Sequence, residues 1–231
     1  MSTFHKMSHK RLFEMNKQSR NTPFSTRPLG LLSGSILMLA APLAMAHHPM
    51  GGATPSTFSE GLLSGFGHPI IGVDHFAFLL VAALLSFTLS GKARYLVPLA
   101  FIGATLGGTL YHLGAADLPL SETMIALSAL LGGVAVLLNR SVPALLMAGL
   151  FAVIGMFHGY AYGEAIIGAE QTPLLSYLVG FAIMQYAVIA GGIKALEYLA
   201  ERSARLQSLA TRAGGLFATV TGTLFLALSM T

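Results

Sequence analysis

The chain has no cysteine. Disulfides, thiolate metal ligands and thiol catalysis are therefore excluded together, and any metal site must draw on histidine, carboxylate, methionine or backbone oxygen. Charge is also scarce. Asp, Glu, Lys and Arg make up 10% of the residues, against about 25% in soluble domains, while 54% are hydrophobic and the mean hydropathy is +0.71. An all-α integral membrane protein is predicted. No G-x-x-x-x-G-K-[ST] loop occurs, so the sequence carries no such ATP-hydrolysing motif.

A net charge of +4 and a pI near 9.5 suggest an acidic partner only until the positions are read. Lys6, Lys10, Arg11, Lys17, Arg20 and Arg27 all precede residue 28, with Glu14 the one acid among them; from residue 47 onward seven basic residues stand against eight acidic ones. No nucleic-acid surface remains. The basic stretch leads into the apolar run Leu29 to Ala41, then Pro42 and Ala44-Met45-Ala46, which is the order of a secretory signal peptide. Residues 1–46 are predicted to be a signal peptide cleaved after Ala46, an uncut anchor being the alternative. Residues 47–60 form a short histidine-containing periplasmic arm, and residues 61–231 the transmembrane domain.

Crossing the hydrocarbon takes about 20 mostly apolar residues, and six such segments follow the leader, near 69–90, 95–113, 122–139, 142–162, 173–196 and 213–230. With the mature N-terminus outside, the inner connections hold Lys92, Arg94, Arg140, Arg202, Arg205 and Arg212, with Lys194 at an inner helix end. The outer connections, Leu113 to Ser121 and Gly163 to Thr172, have no Lys or Arg. This satisfies the positive-inside rule and predicts a multi-pass protein of the bacterial inner membrane with a periplasmic N-terminus. On that topology His47, His48, His68, His75, His112 and His158 all fall at or near the outer ends of helices, beside Glu60, Asp74, Glu122 and Glu164.

The densest group is His68-Pro69-Ile70-Ile71-Gly72-Val73-Asp74-His75. Each ionisable group costs roughly 2.5–3.5 kcal/mol near the bilayer centre, so three in eight residues at a span's entrance indicate a binding site. Either Pro69 opens the first span with His68 as its cap, or residues 57–67 form a half-helix broken at Gly67-His68-Pro69. The blander alternative is that Asp74 and the histidines only satisfy backbone and neighbouring helices. A second group, Phe157-His158-Gly159-Tyr160-Ala161-Tyr162-Gly163-Glu164, closes the fourth span. Its stripe of Gly155, Gly159 and Gly163 permits close helix packing, expected to bring His158 near the first span. His112 suits a ligand or an interfacial residue equally. Gln185 is expected to bond another helix, and Glu122 to favour the positive end of its helix. His47 and His48, beside a free α-amine after cleavage, would chelate Cu²⁺, Ni²⁺ or Zn²⁺.

These motifs resemble the HupE/UreJ family of hydrogenase and urease accessory membrane proteins, regarded as nickel or cobalt permeases. His68, Asp74 and His75 give its H-x5-D-H pattern, and Phe157, His158, Gly159, Ala161 and Gly163 follow its F-H-G-x-A-x-G-x-E pattern. The final acid comes one place early, at Glu164, and Tyr162 stands where histidine is common. The resemblance implies secondary uptake of a divalent metal, Ni²⁺ first and Co²⁺ next, with metalloenzyme-maturation proteins as partners. No prosthetic group is expected; the metal is the cargo. His47 and His48 would collect it, His68, Asp74 and His75 bind it, and His158 with Glu164 complete or gate the site. Two other classes use the same residues: a membrane zinc hydrolase with Glu164 as base, for which no HExxH is present, and a metal-relay subunit that does not transport.

Overall fold

The computed structural model describes residues 53–114 and 117–230, all of them in helices and connections without a strand. The expected signal peptide and the His47, His48 pair lie outside these residues. Helix α1 (Phe58–Ile71) begins at a capping box: the Thr57 side chain accepts from the Glu60 amide, and Glu60 answers the Thr57 amide. The helix thus starts inside the arm expected to reach residue 60. It is followed by α2 (Val73–Phe87), the one-turn α3 (Ala93–Leu96), α4 (Pro98–Leu113) and α5 (Ser121–Leu137). Then come α6 (Ala144–Gly163), a 3-10 turn (Glu164–Ile166), α7 (Gln171–Arg202) and α8 (Ala204–Leu228).

Four stretches are long and apolar enough to cross a membrane, 93–113, 144–166, 171–202 and 204–228, and five if the bent pair α1 and α2 counts as one. By length and composition the described residues do not reach the expected six. The segment expected at 122–139 is the 17-residue α5, about 25 Å long at 1.5 Å per residue against a hydrocarbon core of about 30 Å. The first expected span is two helices meeting at 75°. At 32 residues, α7 runs to about 48 Å, so one end reaches beyond the hydrocarbon. There Glu197 accepts from Arg94 at 2.7 Å, Lys194 at 2.9 Å and Tyr95 at 2.9 Å.

Lipid tails are as apolar as leucine, so helices in a bilayer associate through close packing at small residues rather than by hydrophobic exclusion. The most extensive contacts fall in three helix pairs, α4 with α6, α5 with α8, and α1 with α7. Each is seated on glycine. A side chain at Gly159 would strike the Thr105 carbonyl of α4, and one at Gly108 the Met156 carbonyl of α6. Gly61 and Gly65 lie against the carbonyls of Pro173 and Tyr177 on α7, and Gly180 against that of Leu62. Gly222 lies on the Leu130 amide of α5. Helix α2 touches α5, α7 and α8; Ala77 to Leu79 and Val81 to Ser86 are all buried. The Gly155 and Gly159 stripe packs on α4, in the groove lined by Phe101, Ala104 and Thr105, and His158 lies near the first span as expected, its ring 5.2 Å from that of His75.

Replacing Gly159 by alanine should force α4 and α6 apart and lower stability by about 1–3 kcal/mol. Gly103→Ala, where nothing lies within 4 Å of the added methyl, should be neutral or slightly stabilising. Thermal unfolding of both variants in one detergent provides the comparison.

Candidate functional site

Pro69 lies inside α1, not at a helix start, and the break comes at Gly72. Lacking an N–H, proline removes one bond from the ladder, and α1 ends two residues later with the Gly72 amide on the His68 carbonyl at 3.1 Å. Gly72 is extended, φ −67° and ψ 100°, angles open to any residue. Glycine is required by space, since an added Cβ would stand 2.6 Å from Cδ2 of His75. His68 is consequently no cap. It occupies the last turn of α1, with Asp74 and His75 in the first turn of α2.

The bend folds these three residues into the bundle. Relative exposures are 2% for His68, 1% for Asp74, 1% for His75 and 0% for His158. The ring centroids of His68 and His75 are 5.7 Å apart, and those of His75 and His158 5.2 Å. Tyr162 packs between them, 4.9 Å from His68 and 4.4 Å from His75. Asp74 accepts from the His75 amide at 2.9 Å. Its second oxygen, Nε2 of His158 and the Tyr162 hydroxyl are buried with no hydrogen-bond partner among the described residues. Buried polar atoms without partners are costly and rare, so their concentration in one cluster marks a place built to receive a polar or charged species.

Other expected residues fall elsewhere. Glu164 is exposed, on the 3-10 turn beyond α6; the chain leaves the α-helix at Gly163 and carries the acid out of the cluster. His112 is half-buried, with Nδ1 2.8 Å from the Tyr160 carbonyl and its ring 4.0 Å from that of Tyr160, which donates to Asp117 at 3.2 Å. Gln185 bonds Thr105 of α4 at 3.3 Å, as expected of a buried amide. Tyr162, noted in the sequence where histidine is common, is wedged between the histidines. One contributor escaped sequence reasoning: Tyr177 bonds both His68 and the Tyr162 carbonyl, and a tyrosine within an apolar span gives no spacing signal. Among the described residues, no three His, Asp or Glu side chains stand close enough to ligate one ion as they are placed.

Fold and cluster together define a polytopic helical membrane protein with a buried polar site at a broken helix. The sequence matches the HupE / UreJ protein family over residues 35–225 and belongs to it. Protein HupE of Rhizobium leguminosarum bv. viciae is 29% identical over 169 residues, covering 72% of this chain and 84% of its own. No solved structure matches.

Gly72→Ala should push the His75 ring off the face of Tyr162. The check is the His75 Hδ2 resonance in detergent, which should lose the ring-current shift that a phenol at 4.4 Å imposes.

Proposed function

We propose that this chain takes up a divalent transition metal, Ni²⁺ first and Co²⁺ next, from the periplasmic side of the inner membrane without ATP. The observation that carries the reading is the burial of three imidazoles and a carboxylate against one another at a helix break. Ionisable groups inside a bilayer bundle are rare except on ion and substrate pathways, and broken helices recur at transporter binding sites. Membership of HupE/UreJ, a family associated with nickel or cobalt uptake for hydrogenase and urease, supports the same conclusion.

Imidazole and carboxylate suit borderline divalent ions. With metal-to-nitrogen distances near 2.0–2.1 Å, two imidazoles on one ion have centroids roughly 4.5–5.2 Å apart. The His75–His158 pair stands at 5.2 Å and the His68–His75 pair at 5.7 Å, so modest side-chain rotation would let His75 share an ion with either neighbour, and Asp74 would supply the balancing charge. Ligands that close on the ion only as it arrives suit cargo better than a permanently held cofactor. An inward-negative potential of 100 mV favours entry of a divalent cation by roughly 4.6 kcal/mol, about three decades of accumulation. His47 and His48 would collect the ion outside, and His112 with Asp117 would line its approach. The zinc-hydrolase alternative loses its base, because Glu164 is exposed and apart from the cluster.

Proteoliposomes holding the full chain and a potassium-diffusion potential should accumulate radioactive nickel, with cobalt the strongest competitor. The double change Asp74→Asn and His75→Gln should cut the rate by more than about tenfold, and Glu164→Gln should leave it near wild type. Nickel that binds but never enters would point to the relay reading, and a double variant as fast as wild type would remove the cluster from the pathway.

A further inference from the structure

We infer that Tyr177 is a positioning residue of this site: its phenol holds His68 in the Nδ1–H tautomer, making Nε2 the lone-pair nitrogen, the same state that the Ile154 carbonyl imposes on His158. The inference deepens the metal-uptake reading and rests on it for the role of that nitrogen. The tautomer assignment itself needs only hydrogen-bond bookkeeping.

The Tyr177 hydroxyl oxygen lies 2.7 Å from the Tyr162 carbonyl oxygen and 3.0 Å from Nδ1 of His68, and Tyr177 is fully buried. A carbonyl can only accept, and 2.7 Å is the ordinary separation for O–H···O; without a proton between them, two oxygens that close would repel. The phenol has one proton, so it is committed to Tyr162. Towards His68 the phenol oxygen can then only accept, which requires a proton on Nδ1. In the neutral ring, the form that ligates metal, the lone pair is therefore on Nε2. His158 follows by the same logic, with Nδ1 3.1 Å from the Ile154 carbonyl, a bond only Nδ1–H can donate.

Two histidines on different helices are thus set alike by partners outside the cluster. Fixing the tautomer and angle of a metal-binding imidazole through its other nitrogen is a general device. It depends here on helix packing. Gly65 admits the Tyr177 backbone and Gly180 admits that of Leu62, so the α1 and α7 backbones meet where His68 and Tyr177 must touch. Tyr177 also ties α7 to α6 through the Tyr162 carbonyl, and the same Tyr162 covers His68 and His75 with its ring. One hydroxyl therefore links three helices to the orientation of one ligand.

The test uses the full-length protein in detergent with 15N-labelled histidine, read first without metal. Long-range 1H–15N spectra, assigned with His68→Gln and His158→Gln, should show both residues as Nδ1–H tautomers. Tyr177→Phe should move His68 towards the Nε2–H form that unconstrained imidazoles favour, leave His158 unchanged, and weaken Ni²⁺ binding in equilibrium dialysis by about 10–100-fold. Phe181→Leu removes a ring packed 5.4 Å from Tyr177 but no hydrogen bond, and should change neither tautomer nor affinity. His68 found with its proton on Nε2 in the wild type would overturn the inference. So would a Tyr177→Phe protein with unaltered tautomer and affinity, or a Phe181→Leu protein as impaired as Tyr177→Phe. Wild-type protein that shows both Nδ1–H tautomers but binds no Ni²⁺ would instead overturn the metal-uptake reading and leave the tautomer assignment standing.

Discussion

The structure depends on backbone meeting backbone at glycine. In water, apolar helices are driven together by the release of solvent; in lipid that force is missing, and association rests on dispersion between surfaces that approach closely. Gly65 on the Tyr177 carbonyl, Gly159 on that of Thr105 and Gly222 on the Leu130 amide each remove the side chain that would hold two helices apart. Three tight pairs result, and α2, buried along nearly its whole length, lies among them. Each site residue inherits its place from one such contact. The α1–α7 pair sets His68 beside Tyr177, the α4–α6 pair fixes the face of α6 that carries His158, and α2 brings Asp74 and His75 to the point where these meet.

The helix break converts that packing into chemistry. A continuous helix through residues 58–87 would spread His68 and His75 along one rod, each facing whatever neighbour lay opposite. The 75° bend at Gly72 folds the end of α1 back over the start of α2, so that the two rings meet edge to face. The bend needs Pro69 to weaken the last turn of α1 and Gly72 to leave room for the His75 ring. In a medium of low dielectric, a carboxylate beside neutral imidazoles is poorly solvated unless a cation or proton joins it. The partnerless oxygen of Asp74 and Nε2 of His158 express that demand. Tyr162 keeps the space between the rings filled, which denies the cluster bulk water.

At the far end of α2 the chemistry is reversed. Glu197 is held by Arg94, Lys194 and Tyr95 with every bond satisfied, and Arg94 also donates to the Leu89 carbonyl at 3.0 Å and lies over the Phe87 ring. That network closes one end of the bundle, whereas the histidine cluster keeps polar atoms in reserve. The contrast follows from composition: long basic side chains reach an interface and pair there, while histidine and aspartate, being short, stay where the backbone puts them.

By itself the sequence determined that the chain is an α-helical membrane protein of the HupE/UreJ family, that from residue 47 onward its basic residues stand apart from its histidines, and that His68, Asp74, His75 and His158 are its candidate site residues. Those properties are read from hydropathy and from the cost of ionisable groups in lipid, and neither requires knowing which helix faces which. Only the tertiary structure decided the rest. A broken span and a single one have the same hydropathy, so the sequence left both open and put the possible break at Gly67-His68-Pro69 rather than at Gly72; the shortness of α5 was invisible in the sequence. Proline tolerated inside α1 defeated the expectation of a start at Pro69, because the rest of the helix supplies the bonds that one residue omits. The glycine stripe of α6 announced a close contact without naming its partner, which depends on complementary surfaces along α4. Glu164 and His158 lie six residues apart in sequence, yet one is exposed and the other fully buried, since the α-helix ends between them at Gly163 and Glu164 opens the 3-10 turn. Tyr177 entered the site only through packing: a phenol in an apolar span looks the same whether it faces lipid or fixes the proton of a histidine.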